Sequence, residues 1–178
     1  MRDALMIYFE AEKNAGLFIA GIGLAELAAA ALLFRADLRS FAATIGILAL
    51  AEIALGVGLY LRTDPQVGRL VAQLGAEPAR FYMNEGARMA RVQWNFVVIE
   101  YVELGLIVTS AVVAIIQKGR PGLAGVALGL LVSGAFLLAF DLVAERRGEA
   151  YLAAITRDAE RYSASRQGPR AESGGERF

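Results

Sequence analysis

The stretch that decides the fold is FAATIGILALAEIALGVGLYL, residues 41–61. Between Ala42 and Tyr60 its only polar side chains are Thr44 and Glu52, whereas an amphipathic helix of a soluble protein needs a wide polar face. The stretch is also as long as the roughly 20 residues that a helix needs to cross the hydrocarbon core of a bilayer. It therefore predicts a transmembrane helix with one carboxylate near its middle and no basic residue to pair with it.

Three further segments of the chain have the same character. With 57% hydrophobic residues and a mean hydropathy of +0.49, the chain is more apolar than an ordinary soluble domain. Short links join the first segment to the second and the third to the fourth, which favours two antiparallel hairpins. The sequence therefore predicts an all-α integral membrane protein, a four-helix transmembrane bundle in one domain of residues 1–162. The predicted spans are residues 15–34, 41–61, 95–116 and 122–140.

Two amphipathic stretches extend the bundle beyond the predicted spans. The connection of residues 62–94 and the segment of residues 144–162 carry apolar residues at helical spacing, and Pro78 suits the first turn of a helix that continues to about residue 117. We interpret the stretches either as a docking or membrane-surface site or, the commoner arrangement, as helices that lie on the headgroup layer or cap the bundle. Residues 163–178 lack apolar periodicity and predict a disordered tail. The apolar positions are Val67, Leu70, Val71 and Leu74, followed by Tyr151, Leu152, Ile155 and Tyr162.

Basic residues are unevenly distributed along the chain. Of its 18 Lys and Arg residues, only Arg35, Arg39, Lys118 and Arg120 lie in the two short links. The positive-inside rule then places both links outside and the remaining polar segments in the cytoplasm. We therefore predict a multi-pass protein of the cell inner membrane with cytoplasmic N- and C-termini.

One group of basic residues is a candidate binding surface. Arg80, Arg88 and Arg91 lie on the predicted extension of the third helix. They would bind anionic lipid headgroups or the acidic groups of a partner protein. Simple anchoring at the inner leaflet is the commoner role of such residues.

Missing residue types exclude several kinds of chemistry. The chain has no Cys and no His, so disulfide exchange, thiolate catalysis, His-ligated haem and the usual zinc or copper sites are excluded. It contains neither a nucleotide-binding glycine motif nor a nucleophile elbow. Its formal net charge of +0 gives no support for nucleic-acid binding. We therefore expect no cofactor and no enzymatic activity.

Carboxylates inside the apolar segments are the main functional signal. Glu26, Glu52, Glu100 and Glu103 form a candidate intramembrane cluster, and we place Asp141 and Glu145 at the inner interface. Each charged side chain at mid-membrane costs about 2.5–3.5 kcal/mol. These groups must therefore face inward, be protonated or bind a cation.

Three interpretations of the carboxylates are open. They form a proton or cation site, or they are protonated groups that hold helices together by hydrogen bonds, or they are catalytic acids and bases for a lipid-phase substrate. Four helices leave little room for a transport pathway unless the chain oligomerises. The second interpretation is therefore preferred, and the third is given the least weight.

Small residues predict helix-packing surfaces. Gly125, Gly129 and Ser133 recur at four-residue steps on the fourth span, which is the pattern of a close helix contact. This face packs either within the bundle or between protomers. Small residues also flank the acids, with Gly23 near Glu26 and Gly56 near Glu52, which favours inward packing of both.

The sequence favours a non-enzymatic accessory protein. It would bind another membrane or membrane-targeted protein through its helices and cytoplasmic face, with membrane lipids around it. The alternative is a homo-oligomeric proton or cation channel or transporter that uses the intramembrane carboxylates.

Overall fold

The computed structural model describes residues 1–117 and 119–167, which form four long helices and no strand. Each helix contains a window that is long and apolar enough to cross a membrane. The prediction of an all-helical chain with four such segments is therefore confirmed, and these segments indicate a multi-pass membrane protein. The helices are α1 (Arg2–Arg35), α2 (Arg39–Ala76), α3 (Pro78–Ile116) and α4 (Pro121–Gln167).

Local backbone chemistry explains where the central helices end. Glu77 alone separates α2 from α3, and its backbone is non-helical (φ −138°, ψ 68°) because the ring of a following proline disfavours the helical region. Pro78 then begins α3, where its missing N–H costs nothing. α2 continues through Pro65, so the connection of residues 62–94 consists almost entirely of two helix ends.

The fourth helix is longer than the sequence predicts. α4 extends to Gln167, so residues 163–167 are helical although the periodicity assigns them to a disordered tail. The Ser163 hydroxyl donates a hydrogen bond to the carbonyl oxygen of Ala159 at 2.9 Å, which is typical of a serine that satisfies its side chain within a helix. The remainder of the predicted tail, residues 168–178, lies outside the described residues, as does Lys118.

The polar ends of the four helices pack into one unit, which we call the head and define as residues 1–14, 62–94 and 144–167. Its core is formed by buried residues of α1, α3 and α4, and the apolar side of α2 packs against it through Val67 and Leu74 among others. The apolar positions of both amphipathic stretches thus face this core and its aromatic neighbours, so they are not free as a docking surface. The core residues are Leu5, Phe9, Phe81, Met89, Tyr151 and Ile155.

Glycines set the close approach of α1 to α2. A Cβ atom at Gly16 would lie 2.7 Å from the main-chain oxygen of Gly56, and one at Gly23 would lie 2.8 Å from the main-chain oxygen of Ala49. Real Cβ atoms do not approach other atoms so closely, so the two backbones can lie in contact only where glycine removes the side chain. The α1–α2 pair is therefore fixed by backbone packing over much of its apolar length.

The second helix pair is formed by α3 and α4. Gly134 of α4 lies against Ile107 of α3, and the two pairs meet mainly where α2 contacts α4. α3 and α1 are not backbone neighbours. As a result, only 6% of the most apolar window of α3 is buried inside the chain, against 22–28% for the other three helices.

Candidate functional site

The carboxylates of α1 and α2 form one group. Glu52 is 2% exposed, and Glu26 is half-buried and close enough for the two charges to repel each other. Neither carboxylate oxygen of Glu52 has a hydrogen-bond partner, and one oxygen of Glu26 also lacks one. Glu52 lies one turn from Gly56, so the close backbone contact of α1 with α2 shields its side chain from the surroundings of the chain.

The carboxylates of α3 and α4 form a second group. Glu103 lies close to Asp141, and Glu100 lies close to Glu145. One carboxylate oxygen of Glu100 and one of Glu103 are buried without a hydrogen-bond partner. Two neighbouring carboxyl groups attract each other when they share one proton. If both were ionised, their negative charges would repel each other. Each contact joins α3 to α4, so these side chains link the second helix pair.

The candidate cluster is thus divided between the two helix pairs. Glu26 and Glu52 belong to one pair, and Glu100 and Glu103 belong to the other, where they meet the two acids assigned to the inner interface. Within residues 1–117 and 119–167, none of these acids forms a salt bridge with a basic residue. No group of three acidic side chains in this part of the chain is arranged to hold a metal ion.

The small-residue face of α4 lies against α2. Gly125 contacts Ser40 and Phe41, and a Cβ atom at Gly129 would lie 2.8 Å from the Thr44 side chain. Ser133, one turn further along, is 1% exposed, and its hydroxyl has no hydrogen-bond partner. The two helix pairs therefore contact each other at Gly125 and Gly129 of α4.

The three candidate arginines have different surroundings. Arg80 is exposed and pairs with Glu77 at 3.2 Å, and Arg91 is exposed as well. The Arg88 side chain is 38% exposed. It donates two hydrogen bonds of 2.7 Å to the buried Glu85 and lies over the ring of Phe9 at 5.8 Å.

The pair of Glu85 with Arg88 is the centre of a polar network that sequence reasoning missed. Tyr8 stacks on Tyr151 with ring centroids 4.5 Å apart, and burial raises the pKa of Tyr8 to about 12. Burial also raises the pKa of Tyr151, with the charge of Glu85 adding to the effect. The i, i+3 spacing of Glu85 and Arg88 is the one available sequence signal, since such pairs meet on a helix, but it does not show that the pair is buried.

Polar contacts join the helices where the head meets the apolar segments. Lys13 pairs with Asp64 at 2.6 Å, and Arg62 pairs with Glu12 at 2.9 Å, so α1 and α2 are linked twice. Arg147 donates a hydrogen bond of 3.0 Å to the carbonyl oxygen of Ala11, which links α4 to α1. These contacts fix the orientation of the head relative to the apolar segments.

Comparison of the chain with protein-family models, with curated proteins and with solved structures gave no match. The geometry that bears on function consists of two helix pairs with carboxylates between their helices, a folded head, and a third helix of whose most apolar window only 6% is buried.

Proposed function

We propose that the chain is a multi-pass protein of the cell inner membrane, inserted as two antiparallel hairpins with the head and both termini in the cytoplasm. The contacts of Gly16 with Gly56 and of Gly23 with Ala49 support opposite directions for α1 and α2. The distribution of basic residues supports the orientation, since most of them belong to the head side of the chain.

Within the membrane, the chain acts without enzymatic activity as an accessory subunit that binds a helix of another membrane protein through α3. The observation that carries this proposal is the exposure of α3, of which only 6% is buried in its most apolar window. Tyr101, Val108 and Val112 are exposed and share one side of the helix with Gly105, where a Cβ atom would meet nothing within 4 Å. We call these four residues the Gly105 face. A small residue between larger apolar ones allows a second helix to approach closely.

Replacement of Gly105 with leucine is expected to weaken partner binding. The added side chain meets no atom of its own chain but enters the space that the partner helix would occupy. Because overpacking of a close contact costs about 1–3 kcal/mol, we expect recovery of the partner to fall on the order of tenfold. The measurement is quantitative co-purification from native membranes in mild detergent.

A matched control is available on α2. A Cβ atom at Gly58 also meets nothing within 4 Å, so Gly58→Leu makes the same chemical change on another helix and should leave partner recovery unchanged. Equal recovery with wild type, Gly105→Leu and Gly58→Leu would show that α3 does not hold the partner. If a second, tagged copy of this chain is recovered and no other protein is, the α3 contact is self-association and not binding to another protein.

A second candidate function is a homo-oligomeric proton or cation pathway. It is favoured by one specific observation: Glu52 is fully buried, and neither of its carboxylate oxygens has a hydrogen-bond partner. Intramembrane carboxyl groups in such a position are typical of proton relays. The Glu103–Asp141 and Glu100–Glu145 pairs would form a second, separate part of the pathway on α3 and α4.

Ion flux in reconstituted liposomes tests this candidate. If it is correct, wild-type protein conducts protons or cations, and Glu52→Gln abolishes the flux because an amide cannot release a proton. Glu10→Gln, at an exposed position of the same chain, serves as the control and should leave the flux unchanged. The accessory role predicts no flux above that of protein-free liposomes for any of the three proteins, and conduction that depends on Glu52 would exclude it.

A further inference from the structure

A cavity lies between all four helices where the head meets the apolar segments. Its volume is about 370 Å³, within the range of about 300–1,000 Å³ that is typical of ligand pockets. One part of its wall is charged, with Glu12, Arg62, Asp141 and Arg147, and the rest is apolar or aromatic. The cavity is therefore amphiphilic.

A groove between α1 and α4 adjoins this cavity. Its volume is about 640 Å³, and it shares Ala15, Phe140 and Arg147 with the cavity wall. The remainder of the groove is mainly apolar and includes Phe18 and Phe136. Since α1 and α4 make few contacts with each other, the groove gives a ligand lateral access from the bilayer.

Arg147 is the charged residue common to both spaces. It donates one hydrogen bond to the carbonyl oxygen of Ala11 and forms no salt bridge within residues 1–117 and 119–167. The other nearby guanidinium, that of Arg62, is already paired with Glu12 at 2.9 Å. Arg147 therefore retains hydrogen-bond donors for an anion, and guanidinium groups bind phosphate with two donors at once.

We propose that the groove between α1 and α4 binds one anionic phospholipid, with its phosphate on Arg147 and an acyl chain along Phe18, Phe136 and Phe140. An amphiphile fits because a cation lies at one end of an apolar groove, at the level where a bilayer changes from hydrocarbon to headgroups. Glu12 in the adjoining wall is paired with Arg62 at 2.9 Å, which leaves Arg147 as the cation for the phosphate. One such cation matches a lipid that carries a single phosphate.

Native mass spectrometry of the full chain in detergent tests this site, with phosphatidylglycerol as the probe. Wild-type protein is expected to retain one phosphatidylglycerol, and Arg147→Gln should weaken binding on the order of tenfold or more, since the amide removes the charged hydrogen-bond donors to the phosphate. The matched control is Arg146→Gln, because Arg146 is the adjacent residue of α4, has the same charge and is exposed. That variant should bind as wild type does.

A second variant keeps the test decisive if Arg147→Gln does not fold. Ala139 is exposed and lines the groove, so Ala139→Trp should fill it without disturbing the core and should also lose the lipid. Equal binding of phosphatidylcholine, undiminished binding by Arg147→Gln, or displacement of the lipid by inorganic phosphate alone would overturn the proposal. The site rests on the proposed membrane insertion, and the two failures are distinguishable because a chain that is not inserted would be recovered from cells without detergent.

Discussion

Replacement of Arg88 with methionine is expected to lower the free energy of unfolding by about 2–4 kcal/mol. This is less than the roughly 3–5 kcal/mol of a fully buried ion pair, because the Arg88 side chain is 38% exposed and water screens part of its charge. Glu85 is 2% exposed, and Arg88 supplies both of its 2.7 Å hydrogen bonds. Without Arg88, the Glu85 carboxylate would be left charged inside the core of the head. Urea unfolding in detergent, followed by circular dichroism, measures the change.

Two further variants separate the buried charge from general damage to the helix. Arg80→Met removes an exposed pair at the same i, i+3 spacing and should cost no more than about 1 kcal/mol. The double variant Glu85→Leu with Arg88→Met should recover most of the loss, because removing both charges leaves neither unpaired. A value for Arg88→Met within about 1 kcal/mol of wild type would contradict a buried, structural ion pair.

The second large effect is expected at Gly56, where alanine should destabilise the chain by about 1–3 kcal/mol. The added Cβ atom would lie 2.7 Å from the main-chain nitrogen of Ala20 and would also meet the main-chain oxygen of Gly16. Both obstacles are backbone atoms, so no side chain can rotate to relieve the clash. α1 and α2 would have to separate, which would also expose Glu52. The same urea titration measures the loss.

Gly58 supplies the control for this substitution. It lies two residues further along α2, and a Cβ atom there meets nothing within 4 Å. Gly58→Ala should therefore be neutral or stabilising by up to about 1 kcal/mol, since alanine restricts the unfolded chain. If Gly56→Ala and Gly58→Ala behave alike, the close contact of α1 with α2 is not present in the folded protein.

The positions of the helices were the most predictable part of the fold. Runs of apolar residues such as 41–61 have few alternatives to a long helix in a chain of this composition. Pro78 marks a helix start because its fixed φ suits the first helical turn and its missing N–H is not needed there. The break at Glu77 follows from the same proline. The tail was mispredicted over residues 163–167 because a polar helix end lacks the apolar periodicity that signals a helix.

The same pattern allowed packing of the amphipathic stretches onto the bundle as one of several arrangements but did not select it. The spacing of Val67 and Leu70, or of Tyr151 and Ile155, shows that one side of each helix is apolar but not what covers that side. The apolar side can be covered by a headgroup layer, by a partner protein or by another helix of the same chain, and the residue pattern is the same in all three cases. Arg88 is an example. A charged residue beside the apolar side of a helix is expected to point outward, and the sequence does not show that its partner Glu85 is buried.

The candidate carboxylate site was predictable by residue but not by arrangement. A lone acid in an apolar helix such as Glu52 is recognisable because its charge is costly there. The division into one group on α1 and α2 and another on α3 and α4 depends on helix neighbours, which periodicity does not reveal. The exposed Gly105 face was not recognisable for a similar reason, since lipid-facing and helix-facing positions in a membrane have the same apolar character.

Site-specific photo-crosslinking in native membranes tests the proposed function most directly. A photoreactive amino acid at Val108, on the Gly105 face, should give one discrete protein adduct that contains a single copy of this chain. The same amino acid at Ile47, which is equally apolar and 68% exposed on α2, should give only lipid adducts. Lipid adducts alone from both positions, or the same protein adduct from both, would contradict an accessory role exerted through α3.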